Sequence, residues 1–226
     1  MRRFASESQT LPVSLYKACT AGTSAKYIKW LGSRRTASDA IADATENYKQ
    51  GGIVTENVIT RPLNERDLPA ALAIQSEVYP PFLVESADAF ASRLDVSAQF
   101  CLAAVSNGEL VAYLLAHGWP QQNPPPVGAI LSSSAYSEVL FIHDLAVGSN
   151  GRGLGLGRRL VNQAFELAAS QKLTRAELIA VKGAAAYWQT LGFVETDSSA
   201  ELEAKVAAYG PNARWMTREI PTLEIS

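Results

Sequence analysis

The sequence of 226 residues has only two cysteines and lacks any long uninterrupted apolar run. Cys19 and Cys101 form neither a disulfide framework nor a metal-ligand spacing, which favours a reducing compartment and predicts no metal site. No stretch approaches the 18 or more consecutive apolar residues of a spanning helix, so we expect no membrane partner. No apolar segment follows Arg2 and Arg3 to form a secretory signal, so we do not expect secretion.

The chain also lacks a strong excess of charge of either sign. A formal net charge of -2 argues against general affinity for nucleic acid. Residues 1–55 nevertheless contain eight Lys/Arg and four Asp/Glu, whereas residues 56–226 contain twelve and eighteen. This basic, Ser/Ala/Thr-rich start predicts an N-terminal extension, either a transit peptide or a mobile arm, ahead of one domain at 56–226. We expect a cytoplasmic protein, or a mitochondrial one if the extension is a transit peptide.

What the sequence does contain is an alternation of strand and helix patterns after residue 56. A helix pattern also falls within the extension, at 36–50. Between the second and third strands, Asn107-Gly108 indicates a two-residue hairpin turn. The alternation predicts a mixed α/β sheet with right-handed crossovers. The predicted strands are 57–63, 100–105, 109–117, 139–147, 175–181, 193–195 and 213–220, and the predicted helices are 67–79, 85–94, 154–172 and 183–191.

A glycine-rich turn separates the strand 139–147 from the helix that follows. Such a turn presents unpaired backbone N–H groups and the positive end of a helix dipole, which favours phosphate. The spacing fits neither the G-x-G-x-x-G dinucleotide fingerprint nor the P-loop. The structural alternative is a flexible turn whose glycines hold no ligand.

The hexapeptide Arg152-Gly153-Leu154-Gly155-Leu156-Gly157 resembles the Gln/Arg-x-x-Gly-x-Gly/Ala signature of the GNAT superfamily of acyl-CoA-dependent N-acyltransferases. Strand 139–147 is similar to the fourth strand of that family, 175–181 to its fifth, and 184–193 to the helix and Gly-Phe that follow. The resemblance covers about residues 57–220. It implies a mixed, mostly antiparallel central sheet of about six to seven strands, flanked by helices and splayed at its two parallel central strands.

The resemblance also implies acetyl-CoA as co-substrate and suggests its contacts. Backbone groups of Leu145, Ala146 and Val147 would pair with the pantetheine arm. Backbone groups from Arg152 through Arg158 would surround the pyrophosphate: Arg152, Gly153, Leu154, Gly155, Leu156, Gly157 and Arg158.

The position of the family's usual tyrosine acid, four residues before the Gly-Phe glycine, holds Trp188. An indole N–H transfers no proton, so we place Trp188 among the CoA contacts and take Tyr187 as the candidate acid. A water molecule, or escape of the thiolate without an acid, stays open. Core packing of both aromatic side chains is the structural alternative.

The candidate general base is His143. In the family the base often lies on this strand, on the face equivalent to Phe141 and His143, and a histidine has an ordinary pKa of about 6.5. Strand alternation predicts that Leu145 shares the face of His143 and that Asp144 points to the opposite face. A buried, hydrogen-bonded histidine without a catalytic role is the alternative.

The acceptor pocket is predicted beneath residues 79–85 and 119–138. Because these stretches hold few acids, we expect a small neutral or apolar amine, or an amino acid, rather than a polycation. The function expected is acetyl transfer from acetyl-CoA to a primary amine by direct attack in a ternary complex. A non-catalytic acyl-CoA sensor, a protein N-terminus or lysine as acceptor, and a homodimer stay open. The predicted acceptor contacts are Tyr79, Phe82, His117, Trp119 and Phe141.

Overall fold

A seven-stranded sheet organises the chain, for which a computed structural model describes residues 58–132 and 137–221. Its strands are β1 Ile59–Pro62, β2 Leu102–Ser106, β3 Glu109–Trp119, β4 Val139–Val147, β5 Arg175–Ala180, β6 Val194–Glu195 and β7 Arg214–Glu219. Their order in the sheet is β1-β2-β3-β4-β5-β7-β6. Every neighbouring pair is antiparallel except β4 and β5, which are parallel. The predicted mixed, mostly antiparallel sheet is confirmed.

The turn between β2 and β3 follows the predicted hairpin. Asn107 and Gly108 have φ angles of 50° and 85°. A type I′ turn needs positive φ at both central residues, and Asn-Gly accepts this at low cost. The two residues therefore fix the register of the hairpin.

Five α-helices flank the sheet in the described part of the chain: α1 Leu68–Val78, α2 Ala87–Ser97, α3 Leu156–Ser170, α4 Ala185–Thr190 and α5 Ala200–Ala207. α2 begins two residues later than predicted because the Ser86 hydroxyl caps it, accepting from the Ala89 amide at 3.2 Å. α5 was not predicted. It buries only Leu202 and Val206, one turn apart, and its other positions are alanine or charged residues, so its apolar pattern is short.

The helices cover both faces of the sheet. α3 packs on one face through Leu156, Leu160, Ala164 and Ala168. α1 and α2 pack on the other face around Phe90 and Tyr113. None of the helices in the described ranges is long and apolar enough to cross a membrane. The predicted extension at 1–55 lies outside the described residues.

β4 contains a bulge at His143. Opposite it on β3, Leu115 pairs with Asp144 and Ala116 with Ile142, so His143 has no partner. One extra residue shifts the alternation, so Asp144 lies on the face of His143 while Leu145 packs toward α3. The predicted faces of Asp144 and Leu145 were therefore wrong.

The two central parallel strands separate beyond the bulge. β4 and β5 pair only through Leu140–Ala176, Phe141–Glu177 and Ile142–Leu178. Their later residues are unpaired with each other, so a cleft opens between the strand ends. This is the predicted splay, and it positions the site described next.

Candidate active site

The cleft between β4 and β5 holds a cavity of about 340 Å³. Its walls come from residues 142–145 of β4, residues 178–182 at the end of β5, and α4. The far end is closed by residues from 75 to 85, together with Val127 and Tyr209. The cavity thus joins the sheet, the turn after α1 and the long loop before β4.

A second cavity of about 330 Å³ lies at the glycine-rich turn and shares Leu145 and Tyr187 with the first. Gly153 and Gly155 have φ angles of 81° and 68°, a conformation in which glycine is favoured. α3 begins at Leu156, and its first-turn N–H groups have no partner within the helix. This cavity is lined by Gly151 and by six of the seven residues of the predicted phosphate-binding segment, namely Arg152, Gly153, Gly155, Leu156, Gly157 and Arg158, whereas the Leu154 side chain is exposed.

Gly157 lies against the side chain of Tyr187. A Cβ atom at this position would collide with the hydroxyl of Tyr187, which reaches across from α4 to the start of α3. Burial raises the pKa of Tyr187, and the charge of Arg158 opposes that rise. Tyr187 therefore keeps its proton at neutral pH and lies where the two cavities meet.

Trp188 has a different environment from its neighbour. Its side chain is buried in the α3 core and meets Phe193 edge-on, with ring centroids 5.3 Å apart. It borders the larger cavity but not the cavity at the glycine turn. Most of the Trp188 side chain therefore packs in the core, as the structural alternative to a CoA contact predicts, while Tyr187 faces the site.

Glu85 lies between two basic side chains at the closed end of the larger cavity. Its Oε1 accepts from Arg93 Nη2 at 2.7 Å and from the Gly128 amide at 2.9 Å, and its Oε2 lies 3.1 Å from His143 Nε2. Burial disfavours the carboxylate, but the hydrogen bond from His143 and the charges of His143 and Arg93 outweigh it. They lower the pKa of Glu85, which is therefore ionised at neutral pH.

The two ring nitrogens of His143 have different surroundings. Beside an ionised Glu85, we assign the proton to Nε2, which then donates to the carboxylate. Arg93 Nη2 also lies 3.1 Å from Nε2, but arginine only donates and makes no bond to an N–H. Nδ1 is buried without a hydrogen-bond partner among the described residues. Its lone pair is free to accept a proton.

Asp144 adds a second carboxylate on the same face. Its Oδ2 accepts from the Tyr113 hydroxyl at 2.6 Å, and the residue also lines the larger cavity. Burial raises the pKa of Asp144, against the lowering effect of the neighbouring Tyr113 and Tyr79 hydroxyls and of His143. The bulge at His143 places these two neighbouring side chains at one site.

Tyr79 is the one predicted acceptor contact that lines the larger cavity. Its hydroxyl donates to the Leu145 carbonyl at 3.2 Å. Phe141 instead stacks on Trp215 in a separate core that α5 completes. His117, opposite Phe141 on β3, is fully buried, and both its nitrogens lack hydrogen-bond partners among the residues that the structure describes. Because the prediction did not include α5, it assigned core residues to the pocket.

The other two predicted contacts, Phe82 and Trp119, also lie outside the larger cavity. Phe82 is 63% exposed, beside Gly210. The Trp119 indole N–H donates to the Asn123 carbonyl at 2.6 Å, which directs it to the start of the long loop. Glu85 and Val127 line the cavity instead, and neither was among the predicted contacts.

The long loop before β4 is held at the acceptor end by several side chains. The Gly128 amide donates to Glu85, and the carbonyl of Ala129 accepts from Arg93. The Pro125 carbonyl accepts from the Tyr209 hydroxyl, and the Leu131 amide donates to the Ser92 hydroxyl at 2.9 Å. These contacts make residues 125–131 a fixed wall of the site. No three side chains in 58–132 and 137–221 are arranged to bind a metal ion.

The sequence of this chain is similar to those of known acetyltransferases. Residues 68–193 match the model of the acetyltransferase (GNAT) family. An uncharacterized N-acetyltransferase, YkwB of Bacillus subtilis (strain 168), is 27% identical over 143 residues, which cover 57% of this chain and 62% of the relative. The chain thus spans about three fifths of that relative's length.

Solved structures share the fold. The ribosomal-protein-S18-alanine N-acetyltransferase of Escherichia coli is 18% identical with a TM-score of 0.51, covering 75% of this chain and 97% of that one. The PaiA N-acetyltransferase of Thermoplasma acidophilum, in complex with coenzyme A, is 11% identical with a TM-score of 0.51, covering 72% and 99%. More than half of the chain matches the family model, from α1 through the Gly-Phe after α4. The chain belongs to the GNAT family of acetyltransferases.

Proposed function

We propose that this protein transfers an acetyl group from acetyl-CoA to the primary amine of a small molecule, by direct attack in a ternary complex. The arrangement of His143 supports this best. Its Nδ1 is free, its Nε2 faces the carboxylate of Glu85, and it lines a cavity that continues to the glycine turn. A base and a phosphate-binding turn at opposite ends of one cleft suit an acyl-CoA and an amine.

Acetyl-CoA would lie along the separated end of β4. The first-turn N–H groups of α3 and the side chains of Arg152 and Arg158 would bind its pyrophosphate. The Leu145 carbonyl, which we expected to pair with the pantetheine arm, already accepts from Tyr79, so the arm would share or displace that bond. The neighbour solved with coenzyme A supports this choice of co-substrate.

His143 would act as the general base. An alkylamine with a pKa of about 10.4 is mostly protonated at pH 7, a cost of roughly 4–5 kcal/mol, so attack needs removal of a proton. Nδ1 accepts that proton while the amine nitrogen forms a bond to the thioester carbonyl carbon. The resulting imidazolium is stabilised by Glu85, whose hydrogen bond to Nε2 becomes charge-assisted.

The C–S bond then breaks, and the sulfur leaves as the CoA thiolate. Tyr187 is the candidate donor of its proton because its hydroxyl lies at the junction of the two cavities. Starting from the ammonium, the nitrogen loses two protons: the first is accepted by His143 and passed on to solvent, and the second is accepted by His143 as the C–S bond breaks. The thiolate receives its proton from Tyr187, which solvent then reprotonates. Products are an acetamide and CoA with a free thiol.

The fixed loop wall supports a small acceptor. Residues 125–131 are tied to Glu85 and Arg93 at the closed end, and the thioester end of acetyl-CoA would share the same 340 Å³. This leaves room for a small amine beside the thioester. The E. coli neighbour, whose name states a protein substrate, makes a protein acceptor the alternative to be tested.

The test is CoA thiol release from acetyl-CoA with matched acceptors: 2-phenylethylamine, an amino acid, spermidine and an alanine-initiated peptide. Mass spectrometry of the acetylated product gives the second readout. Release with a small amine and little with the peptide supports the proposal. Tight acetyl-CoA binding without release with any amine would identify a sensor instead, and release with the peptide alone would identify a protein acetyltransferase.

A further inference from the structure

The larger cavity contains one carboxylate that forms no salt bridge with a described residue. The acidic and lysine residues that line it are Glu85, Asp144 and Lys182. Glu85 is paired with Arg93 and His143. Lys182 is exposed, and its Nζ lies 3.4 Å from the Val78 carbonyl. Asp144 forms no salt bridge in 58–132 and 137–221.

One oxygen of Asp144 also lacks a hydrogen-bond donor. Oδ2 accepts from Tyr113, whereas Oδ1 has no partner although the residue is only 9% exposed. The Tyr79 hydroxyl lies nearby, but its single proton goes to the Leu145 carbonyl. A buried carboxylate oxygen without a donor is costly, so this one calls for a partner that the described residues do not supply.

We propose that Asp144 Oδ1 receives the ammonium group of the acceptor, and that the acceptor is a small primary alkylammonium with an apolar body. This inference rests on the proposed function and names its substrate class. The bulge puts Asp144 beside His143, so a bound ammonium lies next to the base. Leu83 and Val127 line the same cavity and would contact the apolar body.

The test compares two ligands of nearly equal size in calorimetric titrations of the full chain saturated with CoA. The probes are 2-phenylethylamine, which carries the ammonium, and 2-phenylethanol, which does not. The wild-type protein should bind the amine about 10- to 100-fold more tightly than the alcohol, because bonds to charged groups are strong. Asp144→Asn should bind both about equally.

Glu177→Gln provides the matched control. Glu177 is also fully buried, but its Oε1 lies 3.4 Å from Arg175 Nε and the residue does not line the cavity. A glutamine there can still accept from the Gln122 amide, the bond that Glu177 makes at 2.8 Å. This variant should keep the wild-type preference for the amine.

Three results would overturn the proposal: no preference for the amine in the wild type, a preference retained by Asp144→Asn, or an equal loss in Glu177→Gln. Thermal unfolding checks each variant, and Asp144→Ser replaces Asp144→Asn if the amide does not fold. Because the titration involves no transfer chemistry, its outcome is independent of turnover. Failure of the proposed function would appear separately, as no thiol release with any acceptor.

Discussion

The contact of Glu85 with His143 leads to a prediction for Glu85→Gln. The amide oxygen can keep the bonds from Arg93 and Gly128, which places the amide NH₂ opposite His143 Nε2. An NH₂ group only donates, so Nε2 must then accept, and the ring proton moves to Nδ1. The substitution therefore blocks the nitrogen that we assign as the base.

Two magnitudes follow from the structure. Loss of a positioned general base lowers the rate by about 10²–10⁴-fold, so kcat for amine acetylation should fall at least 100-fold. Arg93, fully buried, would lose its counter-charge, which typically costs about 3–5 kcal/mol of unfolding free energy. For a domain of this size that is roughly 6–20 °C in Tm.

Thiol release and thermal unfolding measure the two effects, and the double variant Glu85→Gln/Arg93→Met separates them. Without the arginine, the charge that Glu85→Gln leaves without its partner is gone, so part of the lost stability should return while kcat stays low. Activity of Glu85→Gln within about threefold of wild type would refute the assigned proton position. Recovery of kcat together with stability would show that Glu85 acts only on the fold.

Three further predictions concern the glycine turn and the buried titratable groups. Gly157→Ala should displace Tyr187 and so weaken acetyl-CoA binding in calorimetry. Tyr187→Phe removes the hydroxyl that the new Cβ would meet, so the double variant should recover part of the lost affinity. Purely additive effects of the two substitutions on affinity would contradict this. Burial keeps the pKa of His117 well below its ordinary value, so the free energy of unfolding should fall as the pH drops below about 6.5. In denaturant titrations, His117→Phe should remove this dependence of the unfolding free energy on pH. Burial raises the pKa of Asp144, so the charged carboxylate costs stability at pH 7 but not at pH 3, where it is protonated. Asp144→Asn should therefore raise Tm at pH 7 only. An equal Tm difference between variant and wild type at both pH values would contradict this.

The strand and the turn that we assign to acyl-CoA binding were accessible from sequence. β4 runs from Val139 to Val147, the predicted range, because a continuous apolar run ends there at a glycine-rich turn. Gly153 and Gly155 have positive φ angles and Gly157 lies against Tyr187, so the spacing of these glycines follows directly from the backbone conformation of the turn. The splayed sheet came from the family resemblance rather than from periodicity.

The acceptor side was not accessible in the same way. A bulge leaves little trace in a strand buried on both faces, so the shared face of His143 and Asp144 could not be seen from the alternation of residues. Glu85 meets His143 from 58 residues earlier in the chain, through a segment interrupted by prolines. Such a contact depends on how α2 and the long loop pack, and local patterns do not specify that.

The most direct measurement is kcat/KM for small-amine acetylation by the wild-type protein and His143→Ala, with the acetyl-CoA Kd of each determined by calorimetry. The account predicts a fall of at least 100-fold in kcat/KM with nearly unchanged acetyl-CoA affinity, since the histidine lies outside the glycine-turn cavity. Equal turnover by the two proteins across pH 6 to 9 would contradict it.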